Sequence, residues 1–262
     1  MVRTALHTKK NGMTTRHPLI SSLCAALCAA LHVSTALAAA PAANEAPAAA
    51  PVLRDTLEQR VAPCLACHQP RERNDAYFPR IAGKPEGYLY NQLLNFRDGR
   101  RRFPLMTYMV DHLPDPYLRE IAAFFSAQHP VYPPAAPVAA TAEQLERGRQ
   151  LVHQGDSARK IPACVACHGE RLTGVAPAIP GLLGLPRDYI NAQFGAWRNK
   201  ARRAQAPDCM ADVASRLTDA DVAAVSGWLA SQPPDAQARP ADAPAAPLPL
   251  RCGGVPAQAG AR

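Results

Sequence analysis

From residue 52 to residue 232 the apolar positions recur at helical spacing, and no stretch keeps the period-two alternation of paired strands. Tyr88–Arg97 and Tyr189–Arg198 read as short amphipathic helices. Thr141-Ala142-Glu143-Gln144 has the form of a capping box, whose side chains satisfy the first free amides, and it opens a helix toward His153. Thr218-Asp219-Ala220-Asp221 is a second such box and opens a last helix through Trp228 and Leu229. A matching helix earlier in the chain starts at Asp115, with Pro116 at its first helical position, and carries Phe124 and Phe125. The expected fold class is all-α.

Other segments show no such pattern. Residues 39–51, AAPAANEAPAAAP, form an Ala/Pro-rich spacer, residues 129–142 a linker, and residues 233–262 an Ala/Pro-rich tail. Such stretches bury too little apolar surface to offset the ordering of their backbone. Composition agrees: the chain of 262 residues is 48% hydrophobic, but much of that is alanine, and it holds 27 prolines. Two small domains, 52–128 and 143–232, fit these numbers better than one large core. Ahead of them, Arg3, Lys9, Lys10 and Arg16 precede an apolar run from Leu19 to Ala38 that ends in small residues. Residues 1–38 therefore read as a secretory signal cleaved after Ala38 or Ala40. A retained anchor is the alternative; His32, Ser34 and Thr35 interrupt the run, and no charged stop-transfer flank follows. Export points to the periplasm of a Gram-negative bacterium.

The two domains are copies of one another. CLACH at 64–68 returns as CVACH at 164–168. Downstream, Pro79, Gly83, Pro85, Tyr88, Gln92 and Arg97 align with Pro180, Gly184, Pro186, Tyr189, Gln193 and Arg198. LMTYMVDHLPD, from residue 105, aligns with CMADVASRLTD, from residue 209. Duplication of one domain accounts for the whole pattern.

The repeated five residues carry the chemistry. Two thiols three apart can form thioethers to the two vinyl groups of one haem, and the next histidine then lies under the iron. Cys64, Cys67 and His68 would hold one haem c; Cys164, Cys167 and His168 would hold a second. The macrocycle would also fill the centre of a domain that is short of large apolar residues. A zinc site shared by the four cysteines leaves both histidines unexplained. A thioredoxin-like pair wants a βαβ context, which is missing. For the sixth ligand, Met106 aligns with Met210, each seven residues before the leucine that leads into the last helix. Met109 aligns with Val213 and reads as a packing residue. The plainer alternative makes both aligned methionines core filler. A thioether ligand favours ferrous iron, raises the potential and occupies the position a substrate would need.

The paired CxxCH motifs, the P-x-x-x-G-x-P-x-x-Y-x-x-x-Q segments and the late Met-x6-Leu-x-Asp resemble the diheme class I cytochromes of the c4 type. The resemblance spans both domains. It implies two tandem class I cytochrome c domains, each wrapped around one covalently bound haem. It also implies that the backbone carbonyls of Pro79 and Pro180 orient His68 and His168 through their Nδ1 atoms. Members of that family carry electrons in the bacterial periplasm, commonly toward a haem-copper oxidase. The first copy departs from the pattern at Gln69, where the second keeps Gly169. Gly148 offers a close helix packing to the second copy alone.

Charge adds less. The net +8 of the chain falls to about +4 once the signal and its four basic residues are removed, so a nucleic-acid partner is not indicated. The basic balance leaves room for association with a membrane surface. Arg97, Arg100, Arg101 and Arg102, and likewise Arg198, Lys200, Arg202 and Arg203, form clusters that either dock an acidic partner or neutralise haem propionates. Cys209 and Cys252 remain over; in an oxidising compartment they would pair, with free or intermolecular thiols as the alternative. The function expected is an electron carrier with six-coordinate haems, serving a respiratory donor and a terminal oxidase or reductase, with redox proteins as partners and no small-molecule substrate. Two other readings stand beside it: the cytochrome subunit of a periplasmic dehydrogenase, and a diheme enzyme of the peroxidase or thiosulfate dehydrogenase type.

Overall fold

Helices account for nearly all regular structure in the computed structural model, which describes residues 55–68, 77–129, 131–132, 134–135, 137–233 and 237–256. The signal, the spacer and Gln69 lie outside the described residues. All described residues belong to one unit, Val52–Arg262. Four helices come first: α1 (Leu57–His68), α2 (Glu86–Arg97), α3 (Pro104–Val110) and α4 (Asp115–Ala127). Five follow: α5 (Ala142–His153), the one-turn α6 (Val165–His168), α7 (Arg187–Arg198), α8 (Cys209–Arg216) and α9 (Asp219–Ser231).

Local chemistry explains the starts. Thr141 and Thr218 each accept a hydrogen bond from the amide three residues on, and Gln144 and Asp221 return the bond to the capping amide. The α4 helix begins one residue earlier than its proline suggests. Pro114 takes the capping position, Asp115 is already helical and Pro116 stands second, where a missing amide costs nothing. Gly83 and Gly184 hold matching left-handed conformations, φ 73° and 70°, that side chains disfavour. Between α6 and α7 lies a ladder too short to read from periodicity, β1 (Gly174–Val175) against β2 (Ile179–Pro180), antiparallel.

Each copy packs its own core. In the first, Val61, Leu89, Ile121, Ala122 and Phe125 form one cluster and Phe96, Val110 and Leu118 another, with Tyr90, Leu93 and Leu113 touching both. In the second, Leu151 and Val152 of α5 join residues of α7 and α9 in a single larger cluster. There α5 crosses α9 so closely that a Cβ on Gly148 would lie 2.2 Å from the Ala224 carbonyl oxygen. An ion network centred on buried Asp221 fastens the same crossing. Asp221, 5% exposed, meets Arg147 at 3.1 Å and Arg159 at 2.6 Å, and both arginines also reach Asp156. Burial alone would favour a neutral Asp221. The hydrogen bonds from Arg159, Thr218 and Arg147 outweigh it and hold the carboxyl well below the usual range.

Residues 237–256 of the tail are not a loose end. Ala241 pairs with β1, its amide 2.9 Å from the Gly174 oxygen, and Cys252 is bonded to Cys209. Main-chain pairing and a covalent tie supply the ordering that its composition does not.

Candidate haem centres

In the second copy, α6 is a single turn that carries Cys164 at its cap, Cys167 and His168. These three residues and Met210, the second residue of α8, line one cavity of about 220 Å³. A packed core rarely leaves voids larger than a water molecule, so this space marks the place of a bulky apolar group. Leu182, Tyr189, Ile190, Phe194 and Trp197 wall it. Burial pushes the Cys164 thiol up to about 12 and raises that of Cys167, so both stay protonated at neutral pH. His168 is buried, and its Nδ1 lies 2.7 Å from the Pro180 carbonyl oxygen. A carbonyl oxygen only accepts, so Nδ1 carries the proton and Nε2 keeps its lone pair. Burial also holds the imidazole below its ordinary pKa and hence neutral.

In the first copy, Cys64, Cys67 and His68 sit on the last two turns of α1. His68 Nδ1 lies 3.2 Å from the Pro79 carbonyl oxygen, and burial, with the Arg101 charge, lowers its pKa as well. Cys64 packs against the Val61–Phe125 cluster, and its thiol is raised by burial. Met106 and Met109 both pack against the Phe96–Leu118 cluster. Among the described residues no group of three or more His, Cys, Asp or Glu side chains gathers into a metal site.

No protein-family model matches the chain. Over 175 residues it is 39% identical to a thiosulfate dehydrogenase electron acceptor of Thiomonas intermedia, across 66% of this chain and 79% of that one. Over 182 residues it is 32% identical to cytochrome c4 of Azotobacter vinelandii, across 65% of this chain and 84% of that one. The chain belongs to the diheme cytochrome c4 family. The solved structure of reduced recombinant cytochrome c4 from Pseudomonas stutzeri superposes with a TM-score of 0.56 at 29% identity, covering 67% of this chain and 96% of that one. The fold is accordingly that of tandem class I cytochrome c domains, and the function that of a diheme electron-transfer cytochrome.

A cytochrome c4 chain needs its two halves joined, and here the join contains a site that the motifs did not disclose. Arg102 N donates to Ala201 O at 2.7 Å and Arg203 N donates to Arg100 O at 2.7 Å. Those reciprocal bonds relate equivalent residues of the two copies, as a two-fold axis requires. Between them lie Arg101 and Arg202. Arg101 donates to Gln92, Gln193 and the Tyr189 hydroxyl, and Arg202 to Gln193, Gln92 and the Tyr88 hydroxyl. Arg202 is 7% exposed and also stacks on Trp197 at 4.0 Å, yet its partners are all neutral. Burial, then the neighbouring Arg101, pull its pKa down. The Trp197 Nε1 at the cavity wall is buried without an acceptor. Arg202 and the Trp197 indole donor both line the cavity and lack an anion, which suits the carboxylates of a haem.

The basic clusters thus divide. Arg97 and Arg198 are tie-rods: Arg97 bonds the Leu113 oxygen at 3.1 Å and Asp115 at 2.7 Å, and Arg198 makes the same contacts with Leu217 and Asp219. Arg101 and Arg202 join the copies, while Arg102, Lys200 and Arg203 remain exposed. The 101-residue offset that pairs Tyr88 with Tyr189 also pairs Arg101 with Arg202, and this was the signal available in the sequence.

Proposed function

We propose that the chain is an exported periplasmic carrier with two haem c groups, bound by residues 52–128 and 143–232, that moves single electrons between redox proteins and has no enzymatic turnover of its own. Cys64 and Cys67 would hold one haem, with His68 and Met106 as its iron ligands. Cys164 and Cys167 would hold the other, with His168 and Met210. Pro79 and Pro180 fix the proton on Nδ1 of each histidine and so present Nε2 to the iron. Bound there, haem supplies a one-electron couple with little change of geometry. The methionine sulfurs close the remaining position against substrates, and the apolar cavity wall excludes water.

The observation that carries this reading is the cavity that gathers Cys164, Cys167, His168 and Met210. The donor we favour is a periplasmic dehydrogenase acting on thiosulfate, because a 39% identical relative is named as the electron acceptor of one. The diheme-enzyme alternative needs an open or switchable iron. Rapid mixing of the reduced holoprotein with carbon monoxide separates the two readings. A closed carrier leaves both haem spectra unchanged on the mixing timescale, whereas prompt binding at either haem would favour the enzyme.

A further inference from the structure

We propose that segment 237–256 is a fitted cover on the second haem cavity, held shut by the Cys209–Cys252 disulfide, and that it positions Met210 and keeps water from that haem. The role given to Met210 rests on the function proposed above.

Contacts along its whole length fasten the segment. At its start, Thr173 Oγ1 donates to the Arg239 oxygen at 2.8 Å, and the Ala241 oxygen accepts from the Ala176 amide at 2.7 Å. In the middle, Leu248 and Leu250 are half-buried within an otherwise exposed run and line the cavity that holds His168 and Met210. Toward the end, Cys252 is bonded to Cys209 with a Cα–Cα separation of 5.2 Å, and the Gly253 amide donates to the Pro207 oxygen at 2.9 Å. A Cβ on Gly253 would lie 2.1 Å from the Ala206 oxygen, so the segment lies flush on the loop before α8. Last, Asn91 of the first copy donates to the Gly254 oxygen at 2.7 Å, which carries the cover across the join.

The position of the disulfide gives the cover its purpose. Cys209 is the first residue of α8 and Met210 the second, with Asp208 capping the helix through the Ala211 amide at 3.0 Å. The staple therefore fixes the backbone one residue before the sulfur. Pro240, Pro244, Pro247 and Pro249 restrict the free segment, so little freedom is lost when it seats. The first copy is built differently: the residue before Met106 is Leu105, 48% exposed and bonded to nothing of the kind. A covered haem iron is held in a drier medium that disfavours the more highly charged ferric state. The cover would thus raise the potential of the second haem relative to its uncovered state.

The test compares the wild-type holoprotein with Cys252→Ser, with Cys209→Ala/Cys252→Ala and with Leu248→Ala/Leu250→Ala. Carbon monoxide binding, the near-infrared Met–Fe absorption and amide hydrogen exchange at Ala176 and Gly253 are followed in each. In the variants one haem of the two should bind carbon monoxide faster by about tenfold or more. Its share of the Met–Fe absorption should weaken, the other haem should be unaffected, and amide protection should fall. The double cysteine variant shows that the change comes from the lost cover rather than from a free Cys209 thiol. If a cysteine variant fails to assemble, the leucine pair, with its disulfide intact, decides alone. Wild-type spectra and inertness retained in every assembled variant overturn the cover. A wild-type protein lacking two Met–Fe contributions overturns instead the ligand assignment on which the proposal rests.

Discussion

Met106 and Met109 lie three residues apart on α3 and pack against the same cluster, so packing does not choose between them. The repeat does, because Met106 is the residue that aligns with cavity-lining Met210. Met106→Ala should remove one Met–Fe contribution from the ferric near-infrared spectrum and lower one potential, while Met109→Ala should leave both haems unchanged. Asp221 offers a second test, on stability. Its folded pKa is depressed, so its contribution is present above the carboxylate's unfolded pKa, near 4, and is lost as pH falls from there toward the folded value. Asp221→Asn should cost about 1–2 kcal/mol in denaturant unfolding at neutral pH, since the arginine partners are partly solvated. The difference from wild type should shrink as the pH falls below about 4. The cysteines and histidines were legible because thioether chemistry dictates their spacing. For Arg101 and Arg202 the sequence left docking and propionate neutralisation both open, because a basic residue looks the same in sequence whether it faces solvent or a buried join. Only the fold reveals that their partners are neutral.

At the scale of elements, the starts of α5 and α9 were readable because a capping box is local chemistry, complete within four residues. The β1–β2 ladder was not, since two residues a side cannot display a period. The Cys209–Cys252 pairing was readable from the two cysteines left over, but the rest of the tail's seating was not, since it depends on a strand edge far away in the chain. Gly148 shows how much a close crossing matters. A glycine-to-alanine change on an open helix face gains up to about 1 kcal/mol. At Gly148 the added methyl meets the Ala224 oxygen and, at 2.7 Å, the Trp228 Cβ. The overpacking of about 1–3 kcal/mol should then win, and Gly148→Ala should be less stable than wild type. Gly195 on α7 has nothing within 4 Å of its would-be Cβ, so Gly195→Ala should instead be neutral or slightly stabilising. Equal effects at the two glycines in thermal unfolding would show that the α5–α9 crossing yields freely.

Across the whole molecule, two copies of one domain meet about a pseudo-two-fold join but are finished differently. The second copy has a disulfide next to its aligned methionine, a close helix crossing and a tail segment bonded to it, and the first has none of these among its described residues. Similar ligands in unlike surroundings should give unlike potentials, since burial and solvent access tune haem iron alongside ligand identity. The duplicated pattern was visible in the sequence because aligned residues keep their types. The difference in surroundings was not, because it arises from contacts between distant segments. A potentiometric titration of the full-length holoprotein, followed at the near-infrared Met–Fe absorption, tests the two-haem carrier most directly. Two His/Met haems give two one-electron steps at separate potentials, each removing part of that absorption on reduction. A single step, or a haem that titrates with no Met–Fe absorption, would contradict it.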